Sequence, residues 1–383
     1  MSTNRIDDIE VLRALAVLFV IVHHTFGNLI MWRHSVSPFI PYFNGGAGVD
    51  LFFAISGFVI AKDFIGRMDA RQGLSAKFEE AVSFWIKRIW RLIPSAWLWL
   101  ALILALSFFY NSSGVFEPFE ANLWATLAGA LNFANFRLAD SFGNYSYGAS
   151  FVYWSLSLEE QFYLLFPLFL IFLRRWFVYL VLALLFFQLF SERSANIVMM
   201  MFRTDALMLG ILLAMLSNSK WHKKCEPSYF TNRLPGIVLV AGCLLALLMV
   251  GSVAMNELPY RMSMVALLAG LLVYLASYDK SYVMKDSSLK QLMVTLGARS
   301  YALYLSHIPA FFLVRESWVR IVGLDTPEGF AARVLFIVLA YTLVFGLAEL
   351  NYRFVETPFR RVGQQIAARR AARAVADSHL ERV

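Results

Sequence analysis

Apolar runs of bilayer length recur along almost the whole of this chain. Such a run can cross lipid only as a helix, because each backbone amide must find its partner within the segment. Runs of roughly 17 to 25 residues lie near 9–30, 47–64, 92–110, 155–173, 195–216, 235–254, 260–278, 295–314 and 330–352, with a shorter one at 176–190. Of 383 residues, 59% are apolar and only 16% charged, and the mean hydropathy is +0.61, which excludes an ordinary soluble domain. The expected fold is an all-α, polytopic membrane bundle of about ten transmembrane helices. Its expected division is a membrane domain over residues 1–361 and a basic tail over 362–383.

Charge sets the expected topology. With both termini cytoplasmic and residues 111–154 wholly outside, the inner segments collect 26 of the 34 Lys and Arg residues. That is the positive-inside pattern, so the ambiguous stretch ANLWATLAGALNFANF, residues 121–136, is expected to lie on or dip into the outer face without crossing. The net charge of +8 is then a topology signal, and a nucleic-acid partner has little support. Cys225 and Cys243 suggest neither a disulfide framework nor a zinc site, and no metal is expected. The first apolar run lacks a small-x-small cleavage site and is expected to stay in the protein.

Arg13 and His24 stand eleven residues apart in the first run. Eleven helical steps make three turns plus ~20°, so both lie on one face, ~16 Å apart. A stripe with two ionisable groups should face protein or water, and its imidazole is available for proton chemistry. Under the expected topology His24, Asp50, Glu159 and Glu160 fall toward the outer side, the two glutamates opening the fourth span. His307 lies about two-thirds of the way out along the ninth span. Arg13, Lys87, Arg88 and Arg91 gather at the cytoplasmic mouth, with Arg88 and Arg91 three apart on one face. A cationic mouth suits phosphates, and an acid–base centre at the other end suits a hydroxyl acceptor. Together they point to group transfer across the membrane from a phosphate-rich thioester. His24 is the expected base, with Asp50 or Glu160 orienting it; the spacing does not choose between them.

The segments IEVLRALAVLFVIVHH, GGAGVDLFFAISGF, FWIKRIWRLIP, YWSLSLEEQFYLLFP, RTDALMLGILLA, GARSYALYLSHIP and FVETPFRR resemble, in order and over about residues 5–361, the membrane acyltransferase-3 family of bacterial O-acyltransferases. The resemblance implies O-acylation, with acetyl-CoA as expected donor and a cell-surface or exported glycan as acceptor. It implies that Arg13 and His24 are essential, that Arg88 and Arg91 serve the acyl-CoA side, and that Glu159 and Glu160 form the acidic motif. It also implies the bacterial inner membrane. Some relatives carry a fused periplasmic hydrolase-like domain; this chain is expected to lack it, leaving direct transfer or hand-over to a separate periplasmic transferase open.

Plainer roles stand beside these. Asp50 is also placed to cap its helix, the paired glutamates to complement a helix N-terminus, and Arg13, Arg88 and Arg91 to fix topology. Gly45, Gly46 and Gly48 are expected to let the chain turn tightly. Arg203 and Asp205 read as a buried structural network, and the tail as a surface-lying amphipathic helix or frayed end. The rival readings are a proton-coupled secondary transporter and O-acylation of a small molecule such as a macrolide. No internal repeat supports the transporter.

Overall fold

The computed structural model describes residues 5–32, 40–193, 197–228, 233–323 and 326–380. Among them the secondary structure is helical, as the apolar pattern requires. The helices are α1 (Asp7–His24), α2 (Gly48–Asp69), α3 (Leu74–Phe109), α4 (Phe119–Ala130), α5 (Ala134–Ser141), α6 (Tyr153–Phe172), α7 (Phe177–Leu189) and α8 (Ile197–Met201). They continue as α9 (Asp205–Ser217), α10 (Lys220–Lys224), α11 (Arg233–Val250), α12 (Arg261–Ala276), α13 (Ser288–Gly297), α14 (Ser300–Val322), α15 (Phe330–Asn351) and α16 (Thr357–Leu380).

Among the described residues five helical stretches are long and apolar enough to cross a membrane: Asp7–Leu29, Leu74–Phe109, Tyr153–Phe172, Ile197–Ser217 and Phe330–Arg373. Shorter apolar helices occupy Phe177–Leu189, Leu234–Val250 and Arg261–Ala276. The ambiguous stretch at 121–136 folds as α4, a turn and α5. A helix of 12 residues is ~18 Å long, against a hydrocarbon core of ~30 Å.

The chain divides into two units, Met1–Asp63 with Val178–Tyr304 and Phe64–Phe177 with Leu305–Val383. In the first unit, glycines let helix backbones touch, as membrane helices require where no hydrophobic force separates lipid from partner. A Cβ on Gly57 would stand 2.2 Å from the Leu207 carbonyl oxygen, and one on Gly210 would stand 2.1 Å from that of Ala54, so α2 and α9 cross at a reciprocal pair of glycines. Gly45 and Gly48 serve a similar purpose against α1, where a Cβ would come within 1.8 Å of the Phe19 oxygen and 2.5 Å of the Ala16 oxygen. Close approach, more than tight turning, is what these two glycines supply. Gly297 of α13 does the same at Glu10, its Cβ position lying 2.0 Å from the Glu10 oxygen.

In the second unit α3, 36 residues long, is the spine. Trp85 Nε1 donates to the Tyr163 carbonyl at 3.0 Å and Tyr153 Oη donates to the Ala96 carbonyl at 2.8 Å, so α3 and α6 run antiparallel. The α4–α5 segment is held by its asparagines. Asn122 donates to the Phe116 carbonyl at 2.6 Å and accepts from Ala149 N at 2.9 Å, while Gln161 of α6 donates to Asn135 Oδ1 at 2.9 Å and to the Asn132 carbonyl at 2.8 Å.

The tail differs from expectation. It neither frays from residue 362 nor lies apart: α15 runs through a π-helical turn, Tyr352–Glu356, into α16, which packs along α3. Phe359 stacks on Trp90 with ring centroids 5.8 Å apart, Gly363 leaves room for that indole, and Arg370 forks onto Glu79 at 2.8 and 2.9 Å. Arg370 thus answers an acid on α3, which the charge pattern of the tail alone does not reveal.

Candidate functional site

Each unit carries a group of chemistry-bearing residues. In the first, α1 presents Arg13 and His24 on one stripe, and each meets a neighbour of its own helix or the turn that ends it. Arg13 pairs with Glu10 at 2.7 Å, so part of its charge is answered one turn away. His24 is the last residue of α1. Beyond it the helix widens into a π turn, Thr25–Leu29, broken at Phe26 and at Gly27, where φ is 118°. That turn brings Asn28 back under the imidazole, with its Nδ2 3.4 Å from His24 Nδ1. His23 lies against His24 edge to face, ring centroids 5.1 Å apart.

Asp50, expected as one of two groups to orient His24, is fully buried and accepts from Arg203 Nε at 2.8 Å. A second buried pair, Arg193 with Asp205 at 2.6 Å, lies in the same electrostatic network. The anticipated burial of Arg203 and Asp205 is borne out; Arg193 is the member missed, since an arginine between two apolar runs reads as a topology charge.

The second unit holds Lys87, Arg88 and Arg91 on α3 and Glu159 and Glu160 on α6. Here the structure corrects the sequence reading, which put the cations at one end of the membrane path and the glutamates at the other. Arg88 lays its guanidinium over two rings, 5.4 Å from the Phe84 centroid and 5.2 Å from that of Tyr163. Tyr163 in turn donates its hydroxyl to Glu159 Oε1, one helical turn back. Between the two α3–α6 contacts described above lie Arg91 on one helix and Glu160 on the other. Because α6 begins at Tyr153, the glutamates sit about two turns inside it instead of opening it. Arg88 lies ~21 Å along α3 from its first residue. Cations and carboxylates thus share one level of one helix pair. Lys87, next to Arg88, is half-buried, and Arg91 Nε is a buried donor with no hydrogen-bond partner among the described residues.

Glu160 borders a small cleft, lined also by Trp97, Asn132, Tyr153 and Ser157. Asn132, in the left-handed region at φ 59°, lines the same cleft as Glu160. The residue was legible only as one of three polar breaks in the 121–136 stretch. His307 is fully buried, edge-on to Phe311 with ring centroids 6.2 Å apart. Among the described residues no group of three or more metal-ligating side chains forms.

The first unit thus offers an imidazole next to an amide, suited to proton transfer, and the second a guanidinium–carboxylate level, suited to holding a phosphorylated ligand. A family model described as an acyltransferase domain matches residues 6–349. Peptidoglycan O-acetyltransferase OatA of Listeria monocytogenes is 27% identical over 402 residues, covering 94% of this chain and 57% of the relative. O-acetyltransferase OatA of Staphylococcus aureus is 26% identical over 396 residues, covering 94% and 58%. The chain therefore spans less than three fifths of the length of these relatives. No solved structure matches it.

Proposed function

This chain belongs to the acyltransferase family, and from that premise we propose that it is a membrane O-acyltransferase moving an acetyl group from cytoplasmic acetyl-CoA to a hydroxyl of a cell-surface or exported glycan. The observation that carries the donor half is the Arg88–Tyr163–Glu159 chain on α3 and α6. A planar guanidinium suits two-pronged recognition of phosphate oxygens, and Arg91 adds a buried donor three residues on. In this reading Arg88, Arg91 and Lys87 hold the phosphates of acetyl-CoA. Arg13 is a further candidate for that donor, and its pairing with Glu10 makes it an exchangeable contact.

His24 is the proposed general base. The neutral imidazole takes the acceptor hydroxyl proton, the oxygen attacks the thioester carbonyl, the C–S bond breaks, and the imidazolium returns its proton to the leaving thiolate. Asn28 sets the ring. With its NH₂ toward Nδ1 the ring proton sits on Nε2; turned over, the amide oxygen accepts from Nδ1–H and leaves Nε2 as the base. Glu160, which lines a cleft with Asn132, is the carboxylate proposed to position the reacting groups. The relatives' names support a glycan acceptor, since one is a peptidoglycan O-acetyltransferase.

The proposed setting is the bacterial inner membrane, crossed about ten times with both termini cytoplasmic, α4 and α5 lying at the outer face. Family membership favours transfer over the secondary transporter weighed from sequence. Incubating the purified protein with radiolabelled acetyl-CoA and a panel of surface glycans tests the proposal: label entering a glycan supports it, and label entering none, with acetyl-CoA bound or not, contradicts it.

A further inference from the structure

We propose that the first unit contains a buried anion site centred on Arg261, built to hold the carboxylate or phosphate of a ligand. Arg261 is the first residue of α12, 7% exposed, behind Tyr260 in the left-handed region at φ 54°. A helix N-terminus is the positive end of the peptide dipole, so a cation is misplaced there. Its Nη1 donates to the carbonyls of Gly251 and Ser252 at 3.1 and 3.2 Å, while its Nε finds no partner among the described residues.

The surroundings do not answer the charge. Arg203 is near enough to act on Arg261 as a like charge, and Arg203 and Arg193 already take up Asp50 and Asp205. Both aspartates also lie in the first turns of α2 and α9, where the helix ends draw on them. Among the described residues, this network joins three buried guanidinium groups to two buried carboxylates, one cation in surplus. Glu192 and Glu257, the acids of the adjoining loops, are exposed and make no ion pair among the described residues. Arg193 Nε is a second buried donor without a partner there. A surplus buried cation is costly, and a guanidinium whose Nε lacks a partner keeps a donor for an oxyanion. The inference goes beyond acetyl transfer, because its readout is anion binding alone.

Equilibrium binding of radiolabelled inorganic phosphate to the full chain in detergent, at constant ionic strength set with chloride, tests it. Wild type should bind saturably, Arg261→Gln should lose at least tenfold in affinity, and Arg261→Lys, which keeps the charge and loses the fork, should weaken it several-fold. Displacement of phosphate by glucuronate would mark an acceptor carboxylate as the natural occupant; displacement by a short-chain phosphatidylglycerol would mark a lipid phosphate. Absence of saturable binding in wild type, unchanged affinity in Arg261→Lys, or phosphate displaced by neither competitor would overturn the proposal. Arg261→Lys carries the decision if Arg261→Gln does not fold.

Discussion

Arg88 of α3 faces the ring of Tyr163 on α6, guanidinium to centroid 5.2 Å, and through the tyrosine hydroxyl the pair reaches Glu159. A cation held against an aromatic face loses little of its capacity for in-plane hydrogen bonds. Two residues assigned to opposite ends of a membrane path on sequence grounds therefore belong to one cluster.

If that cluster holds the donor, Arg88→Met and Arg91→Met should each raise the Michaelis constant for acetyl-CoA about tenfold, in line with the ~1.5–3 kcal/mol of a charged hydrogen bond. The turnover number should change less. Arg88→Lys should recover only part of the loss, because an ammonium lacks the fork. Steady-state kinetics with varied acetyl-CoA measures this, and an unchanged constant in both methionine variants would remove them from the donor site.

The Asn28 amide beneath His24 gives a second expectation. Asn28→Leu should lower the turnover number about tenfold or more with the acetyl-CoA Michaelis constant little altered, since orientation of the base is lost and donor binding is not. Asn28→Asp, which keeps an oxygen within reach of Nδ1, should recover more activity than the leucine variant. Equal activity of all three would show that the amide does not position the ring.

Packing makes a paired prediction about stability. Gly57→Ala and Gly210→Ala each drive a methyl into a carbonyl of the facing helix and should cost about 1–3 kcal/mol. Gly66→Ala in the same α2, whose Cβ would meet nothing within 4 Å, should be neutral or stabilising by up to about 1 kcal/mol. Thermal unfolding in detergent separates them; a Gly210→Ala protein as stable as wild type would refute the close crossing.

Acid sensitivity follows from the Arg174–Asp69 pair, which joins at 2.6 and 2.7 Å. The hydrogen bond from Arg174 holds the Asp69 carboxyl below its ordinary value of 3.8. A carboxylate whose folded value is depressed contributes stability above its unfolded value, and that contribution fades as pH falls through the folded one. The pair is partly exposed, so the effect should stay within about 1 kcal/mol. Arg174→Gln should destabilise the protein slightly at neutral pH, and the difference from wild type should narrow as pH falls below 3.8. A difference that persists undiminished at pH 2 would point to packing instead.

Much of this was readable from residues alone. The apolar runs foretold the helices, and Asn122, Asn132 and Asn135 marked 121–136 as a broken stretch, which folds as α4, a turn and α5. The helical register put Arg13 and His24 on one stripe. Hidden were the facts that depend on where a helix begins and which helix it faces. Glu159 and Glu160 open the apolar run, yet α6 starts at Tyr153, so they lie inside it. The antiparallel pairing of α3 with α6 brings Arg88 to Tyr163, a contact 75 positions apart that no local pattern encodes. Arg193 and Arg261 looked like loop charges because burial has no sequence signature at a run's edge.

The most direct test of the account is a transfer assay with radiolabelled acetyl-CoA and an accepting glycan, run on wild type and on His24→Ala with both shown to bind acetyl-CoA. The account predicts that the alanine variant binds the donor normally and loses transfer by a factor of about 10² to 10⁴. Equal transfer by the two proteins would contradict it.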